Sequence, residues 1–255
     1  MRGRGFLGGV VGIVGLLAVW QFLGSVVFDA NGAVPPPSAI LSQMQDDGWS
    51  FYWRNLRTTA GEAAWGWLWG NLLAVWFAAL FVVLPFTETA LMRLAVASYC
   101  LPVIAIGPIL HVVFGADTAR VVLAAMSVFF TTLMGMLLGL RSADRTSLDL
   151  VHAYGGGAWS KLRKVRLWAC LPSLFAGLRI AAPAAVLGAI IGEYLGGDSG
   201  LGIAMISAQQ SLIVERTWAI ALVATTVAAL AYGATALVER LVTPWTPRVA
   251  RMVRS

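Results

Sequence analysis

Residues 149–172, DLVHAYGGGAWSKLRKVRLWACLP, decide how this chain folds. The segment is polar and strongly basic and contains three consecutive glycines, yet long apolar runs flank it on both sides. Basic residues close to membrane spans are retained on the cytoplasmic side. A connection of this length between packed spans more often has a function than not. The pattern therefore predicts a cytoplasmic loop that contacts another molecule.

The composition is that of an integral membrane protein. Of the 255 residues 59% are hydrophobic and 12% are charged, whereas a soluble domain carries about 25% charged residues. The net charge of +6 is explained by cations in membrane-flanking loops, so we expect no nucleic-acid partner. The two cysteines, Cys100 and Cys170, and the two histidines, His111 and His152, have no metal-ligand spacing, so we expect no metal site.

Six apolar runs predict an all-α polytopic protein with six transmembrane helices. We expect the third span to be broken by Pro102 and Pro108, and the fifth to begin at Pro172 and to be interrupted by Pro183. The first run, at 23 residues, is longer than the apolar region of about 7–15 residues in a cleaved signal peptide, which is the rival interpretation. The predicted spans are residues 6–28, 58–85, 91–114, 118–140, 172–195 and 217–238.

The segment between the first two spans should lie along the outer surface. Three consecutive prolines, 35–37, exclude helix there, and Ser38 can cap a short amphipathic helix that follows. Ile40, Leu41 and Met44 would share one face of this helix.

The distribution of Lys and Arg predicts that both termini are cytoplasmic. Of the 18 cations, 13 fall on that side, four fall on the outer side and Arg179 falls within the fifth span, which is the asymmetry that sets topology. The predicted outer cations are Arg54, Arg57, Arg120 and Arg216. The predicted cytoplasmic cations are Arg2, Arg4, Arg93, Arg141, Arg145, Lys161, Arg163, Lys164, Arg166, Arg240, Arg248, Arg251 and Arg254.

The chain lacks the sequence signals of an energy-converting enzyme. The phosphate-binding pattern GxxxxGK[ST] is absent. The most similar segment is residues 155–161, but the residue after it, Leu162, stands where Ser or Thr is required. Proton-driven carriers have ionisable residues within their spans, and here only Glu62, Arg179 and Glu193 qualify. We expect a non-catalytic chain that does not hydrolyse nucleotide.

The basic loop carries a specific resemblance. Asp149-Leu150-Val151, Gly155 and Val165-Arg166-Leu167 are spaced as in the signature EAA, three residues, G, nine residues, I-x-L-P, with Asp149, Val151 and Trp168 as departures. The chain resembles the membrane subunits of bacterial ABC importers. Further segments are similar to those of the nitrate/sulfonate/taurine-type permeases within the binding-protein-dependent transport permeases: residues 34–41, 140–144, 192–196 and 200–202.

This resemblance implies the type I ABC importer permease fold, with residues 1–255 as one permease domain in the bacterial cytoplasmic (inner) membrane. Residues 6–28 would form an N-terminal span and residues 58–240 a five-helix core with a cytoplasmic coupling loop at 141–171. The implied partners are a second permease copy in a homodimer, two ATPase subunits and an extracytoplasmic substrate-binding protein. ATP and Mg would be bound by the ATPase, with no cofactor in this chain.

The same resemblance implies two sets of functional residues. A coupling helix at about residues 147–154 would dock on the ATPase, with Leu150 and Val151 as an apolar knob and Gly155 as the turn out of the helix. Its contact residues would be Asp149, Leu150, Val151, Ala153, Tyr154 and Gly155. The translocation path or gate would be lined by Glu193, Gly196, Gly200, Glu62 and Asn71, although Glu193 fits equally well a structural residue at the end of a helix.

Three functions remain open from the sequence. The first is the permease subunit of an ABC importer for a small organic solute, anions included. The second is a self-sufficient secondary transporter or channel, and the third is a membrane scaffold without transport activity. The sequence does not identify the solute, because in such importers the binding protein sets most of the specificity.

Overall fold

The computed structural model describes residues 2–27, 33–84, 92–93, 95–97 and 99–245, and the side chains from residue 8 onward. Over these ranges the chain is helical apart from short connections. Several predicted features lie outside them: the ends of the predicted spans at residues 28, 85 and 91, the side chains of Arg2 and Arg4, and the C-terminal Arg248, Arg251 and Arg254.

We number the helices of the described ranges in chain order. They are α1 Arg2–Phe22, α2 Pro37–Asp47, α3 Trp49–Val83, α4 Val103–Phe114, α5 Ala116–Arg141, α6 Arg145–Ala153, α7 Ala158–Lys161, α8 Leu167–Gly196, α9 Leu201–Gln210 and α10 Val214–Val242. The π-helical segment Leu23–Val27 extends α1, and the π-helical segment Leu162–Arg166 joins α7 to α8.

Five helical stretches are long and apolar enough to cross a membrane, namely Gly8–Val27, Trp49–Val83, Ala116–Arg141, Ala158–Gly196 and Val214–Val242. The predicted third span is divided into helical residues 92–93, 95–97 and 99–100 and the shorter apolar helix α4. The chain leaves the helical conformation at residues 101–102, as expected for Pro102, but Pro108 lies inside α4. The prediction of an all-α polytopic membrane protein is confirmed.

Three apolar clusters divide the bundle along its length. One contains Leu140 and Leu162 beside the start of α8, a second is built on Ala63, Ala124 and Ala189, and a third contains Ile40 of α2. We call the end that carries residues 142–157 the loop end. The opposite end, which carries residues 33–48 and 197–213, is the far end.

Small residues allow α3, α5 and α8 to approach closely. A Cβ atom added to Gly70 would lie 2.5 Å from the carbonyl oxygen of Ala125, and one added to Gly139 would lie 2.8 Å from the Cα of Cys170. Close approach of this kind is how helices associate in lipid. Gly8 and Gly12 of α1 have no atom of the described chain within 4 Å of that position.

Several predicted boundaries are wrong. α3 begins at Trp49 rather than residue 58. α2 begins after Pro36, so Ser38 is not its cap, and Ser38 instead exchanges hydrogen bonds with the side chain of Gln21 on α1. Pro172 does not start a span, and neither it nor Pro183 interrupts α8, because a helix packed against neighbours tolerates proline.

Much of the predicted coupling loop, residues 141–171, is helical. Ala158–Gly196 is one helical stretch of 39 residues, about 58 Å long at 1.5 Å per residue. The basic residues from Lys161 to Arg166 lie on this helical extension. Within residues 141–171, the positions that are not helical are 142–144 and 154–157.

Candidate functional site

The candidate coupling helix is α6, at the loop end. It begins two residues earlier than the predicted helix because Asp144 caps it: the Asp144 carboxylate accepts hydrogen bonds from the backbone N–H of Ser147 at 3.0 Å and from its hydroxyl at 3.1 Å. The bond from the Ser147 N–H holds the pKa of Asp144 below its ordinary value. The sequence carries this signal, since aspartate is one of the residues preferred at the N-cap of a helix.

Gly155 ends α6 in the way the sequence predicts. Its φ is +78°, a left-handed conformation that glycine adopts without steric cost. The N–H of Gly155 donates to the carbonyl of His152 at 2.8 Å, and the N–H of Gly156 donates to that of Val151 at 2.9 Å. These two bonds form a Schellman motif, so both ends of α6 are fixed.

The residues of α6 differ in how far they project from the bundle. Leu150 is 59% exposed and Tyr154, four residues on, is 86% exposed, so they share one face. Val151 is only half-buried, and its carbonyl is used in the Schellman motif. Of the remaining predicted contact residues, Asp149, Ala153 and Gly155 are exposed.

The predicted gate residue Glu193 is fully buried near the end of α8. Its carboxylate accepts hydrogen bonds from the Thr59 hydroxyl on α3 at 2.6 Å and from the backbone N–H of Gly202 at 2.5 Å. The predicted gate residue Gly200 is buried beside it, and a Cβ at position 200 would overlap the Glu193 carboxylate.

Gly196 lies at the surface, at the end of α8. Its carbonyl oxygen is 3.1 Å from Nε2 of His111, whose Nδ1 lies 3.1 Å from the carbonyl oxygen of Gly107. The His111 ring therefore bridges α4 and α8.

Glu62 lies inside the bundle and pairs with Arg120 of α5. The two charged groups are 2.7 Å apart, with side-chain exposures of 12% and 6%. Arg120 also binds Asp117 and lies next to Gly192. The guanidinium of Arg120 is therefore buried between α3, α5 and α8.

The carboxyl groups of Glu62 on α3 and Glu193 on α8 are neighbours. Asn71, the remaining candidate, is buried on α3, nearer the loop end than Glu62 is. It accepts a hydrogen bond from the Thr132 hydroxyl at 2.5 Å and donates to the carbonyl of Trp67 at 2.6 Å. Asn71 thus joins α3 to α5.

Two cavities are relevant to the predicted path. One of about 710 Å³ lies between α3, α8 and α10; it is lined mainly by Ala, Val and Leu and includes none of the predicted gate residues. The other, of about 340 Å³, lies at the far end and includes Asn55, Ser199 and Ser207. Among the residues whose structure is given, no group of three or more His, Cys, Asp or Glu could hold a metal ion.

Sequence reasoning missed Asn55, Thr59 and Arg120 as partners of the predicted residues. Asn55 and Thr59 are four residues apart and therefore share a helix face, but Asn55 lies outside the predicted second span, residues 58–85. Glu62, one partner of Arg120, lies on another helix, and spacing along the chain does not reveal such a pair.

The comparisons with known proteins agree with this architecture. Residues 70–244 match the family described as binding-protein-dependent transport system inner membrane component. A probable ABC transporter permease protein of Haemophilus influenzae is 30% identical over 224 residues, covering 88% of this chain and 90% of that protein.

Other relatives are named for particular solutes. A riboflavin transport system permease protein of Chloroflexus aurantiacus is 33% identical over 62% of this chain and 59% of its own length. A taurine transport system permease protein of Escherichia coli is 26% identical over 90% of this chain and 86% of its own. The chain belongs to the binding-protein-dependent transport system inner membrane component family, the permease subunits of ABC transporters.

Proposed function

We propose that this chain is the transmembrane permease subunit of an ATP-binding cassette importer. It forms the translocation path for a small organic solute, and anionic solutes are among the candidates. In this proposal α6 and Gly155 are the contact through which separate ATPase subunits move the bundle. The permease itself is non-catalytic, and ATP with Mg is bound by the ATPase.

The observation that carries the proposal is the construction of α6. It is fixed at its start by Asp144 and at its end by Gly155, and it presents Leu150 and Tyr154 to the surroundings. Burying such apolar side chains against a partner stabilises a complex. A short helix fixed at both ends moves as a unit when a partner pulls on it.

The connection to the spans supports the same proposal. Residues 154–157 are all that separates α6 from the 39-residue helical stretch Ala158–Gly196. A displacement of α6 is therefore applied directly to a helix that runs from the loop end to the far end. Such a helix can carry motion across the membrane without a flexible hinge at Pro172.

The proposed assembly is a homodimer of this chain with two ATPase subunits at the loop end and a substrate-binding protein at the far end. The loop end faces the cytoplasm of a bacterial inner membrane, with both termini on that side, because the cations from Arg141 to Arg166 concentrate there. Glu193, Gly196, Gly200, Glu62 and Asn71 remain our candidates for the path or for the groups that hold it.

Reconstitution tests the proposal. The chain is purified with its ATPase and binding protein, placed in liposomes, and supplied with candidate solutes such as taurine or riboflavin. We expect uptake that requires ATP and the binding protein. Uptake by this chain alone, driven by a proton gradient, would show a secondary transporter, and efflux down a gradient without ATP would show a channel.

A further inference from the structure

Side chains of two other helices hold the N-terminus of α9. Gly200 precedes α9 and has no side chain with which to cap it. Instead the N–H of Gly200 donates to Oδ1 of Asn55 at 3.2 Å, and the N–H of Leu201 donates to Oγ1 of Thr59 at 2.9 Å. The N–H of Gly202 donates to Glu193. The first N–H groups of a helix lack partners within it, so three of them are satisfied from outside.

The three capping side chains form one buried unit. Asn55 is 8% exposed, while Thr59 and Glu193 are fully buried, and the Thr59 hydroxyl donates to Glu193. A carboxylate at the N-terminus of a helix is also favoured by the helix dipole. We call Asn55, Thr59 and Glu193 the α9 lock.

Two glycines next to the lock leave room for the Glu193 side chain. Gly200 has φ +124°, and a Cβ there would overlap the Glu193 carboxylate. A Cβ on Gly202 would lie 2.6 Å from the carbonyl oxygen of Ile190 and 2.8 Å from the Cβ of Glu193. The sequence Gly200-Leu201-Gly202 therefore provides the space in which Glu193 reaches the N-terminus of α9.

The lock connects α9 to the helix that begins at the loop end. Glu193 lies three residues before the end of α8, and Ala158–Gly196 is one continuous helical stretch. α9 itself has 10 residues, with Leu201, Gly202, Ala204 and Ala208 buried, and at about 15 Å it is too short to cross a membrane. It therefore lies within the far end of the bundle between two spans.

The far-end cavity adjoins the α9 lock. Its lining includes Asn55 of the lock together with Ile203 and Ser207 of α9. A solute that enters this cavity touches α9 and one of the groups that hold it.

We propose that the α9 lock makes α9 move with α3 and α8. While the hydrogen bonds of the lock are intact, α9 closes the far end of the translocation path. This inference rests on the proposed transport function and assigns its gate. Asn55, Thr59 and Glu193 are positioning residues in this account, since they act through α9.

Amide hydrogen exchange on the complex in nanodiscs, together with uptake and ATP hydrolysis, tests the lock. Thr59→Val removes the hydroxyl with little change of shape. We expect exchange at residues 201–204 to accelerate roughly tenfold, the effect of losing one buried hydrogen bond and leaving its partners unsatisfied. Uptake per ATP hydrolysed should fall, because α9 no longer follows α3.

Thr58→Val is the matched control, since the contacts of the Thr58 hydroxyl with the described part of the chain are long, at 3.5 Å to the carbonyl of Arg54 and 3.5 Å to Ser199. Thr59→Ser keeps the hydroxyl and should behave as the wild type, which guards against a Thr59→Val protein that does not assemble. Unchanged exchange in Thr59→Val would overturn the lock. Faster exchange with unchanged uptake per ATP would overturn the gate.

A wild-type complex that shows no ATP-driven uptake would contradict the proposed function instead. The exchange difference between Thr59→Val and Thr58→Val would still decide whether the lock exists. The two failures are therefore distinguishable.

Discussion

Arg216 of α10 binds both carboxylate oxygens of Asp47, the last residue of α2, with its Nε 3.0 Å from each. The Tyr52 hydroxyl donates to the same carboxylate at 2.7 Å and the Gln43 amide donates at 2.8 Å. The Asp47 side chain is 2% exposed. The surface helix α2 is thereby fastened to the beginning of α10 at the far end.

Replacing Asp47 should destabilise the protein. We expect Asp47→Ala to lower the free energy of unfolding by about 2 kcal/mol, the usual range for hydrogen bonds to a charged group. Asp46→Ala, the adjacent exposed residue, is the control and should change it by less than about 0.5 kcal/mol. Denaturation of the purified protein in detergent measures both, and equal effects would contradict this role of Asp47.

The same pair gives a pH dependence. Burial alone would raise the pKa of Asp47, but the hydrogen bonds from Arg216, Tyr52 and Gln43 outweigh it, so this pKa lies below its ordinary value. The stabilisation is therefore complete above the unfolded pKa of about 3.9 and is lost as the pH falls through the lower folded pKa. The stability difference between wild type and Asp47→Ala should be constant from about pH 6 to 8 and shrink below about pH 4.

Gly155 should be required for coupling because of its conformation. Gly155→Ala places a Cβ at φ +78°, which costs about 1–2 kcal/mol, and should loosen the end of α6 and lower uptake per ATP. Gly155→Asn should retain more activity, because asparagine tolerates this conformation. Gly157→Ala is the matched control, since Gly157 has φ −78° and open space at its Cβ position. Equal loss in all three variants would contradict the argument from conformation.

Two glycines of α3 should respond in opposite directions to the same substitution. A Cβ on Gly66 would overlap that of Ala124 on α5, whereas one on Gly61 has nothing within 4 Å. We expect Gly66→Ala to lower the free energy of unfolding by about 1–3 kcal/mol. Gly61→Ala should raise it by up to about 1 kcal/mol through helix propensity. Two changes of the same sign would contradict the close packing of α3 on α5.

The stability lost by replacing Arg120 should be partly restored by replacing its partner Glu62 as well. Arg120→Met leaves Glu62 and Glu193 without their cation and should destabilise the bundle by about 3–5 kcal/mol, as breaking buried ion pairs does. Adding Glu62→Gln removes the carboxylate that paired directly with Arg120 and should recover much of the loss. Additive losses in the double variant, measured by denaturation in detergent, would show that the pair does not interact.

The sequence predicted the parts of the fold that depend on local patterns. Apolar runs located the spans, and the resemblance of residues 149–167 to the family signature located the end of α6 at Gly155, whose φ of +78° is a local requirement. The start of α6 could also have been predicted, since aspartate, here Asp144, is favoured at the N-cap of a helix. The break at Pro102 followed from proline alone.

Features set by packing could not be predicted in this way. Pro172 and Pro183 would break an isolated helix, yet α8 continues through both because α3, α5 and α10 pack around it. The caps of α9 come from residues more than 140 positions earlier, in the case of Asn55 and Thr59. The pairing of Arg120 with Glu62 could not be predicted either, because Glu62 lies on another helix.

Site-specific photo-crosslinking tests most directly whether α6 is the ATPase contact. A photoreactive residue is placed at Tyr154, which is 86% exposed at the loop end, or at Leu212, which is 85% exposed at the far end. In membranes that contain the assembled transporter, we predict an adduct with an ATP-binding cassette subunit from position 154 and none from position 212. An ATPase adduct from position 212, or its absence from position 154 in an assembled complex, would contradict the account.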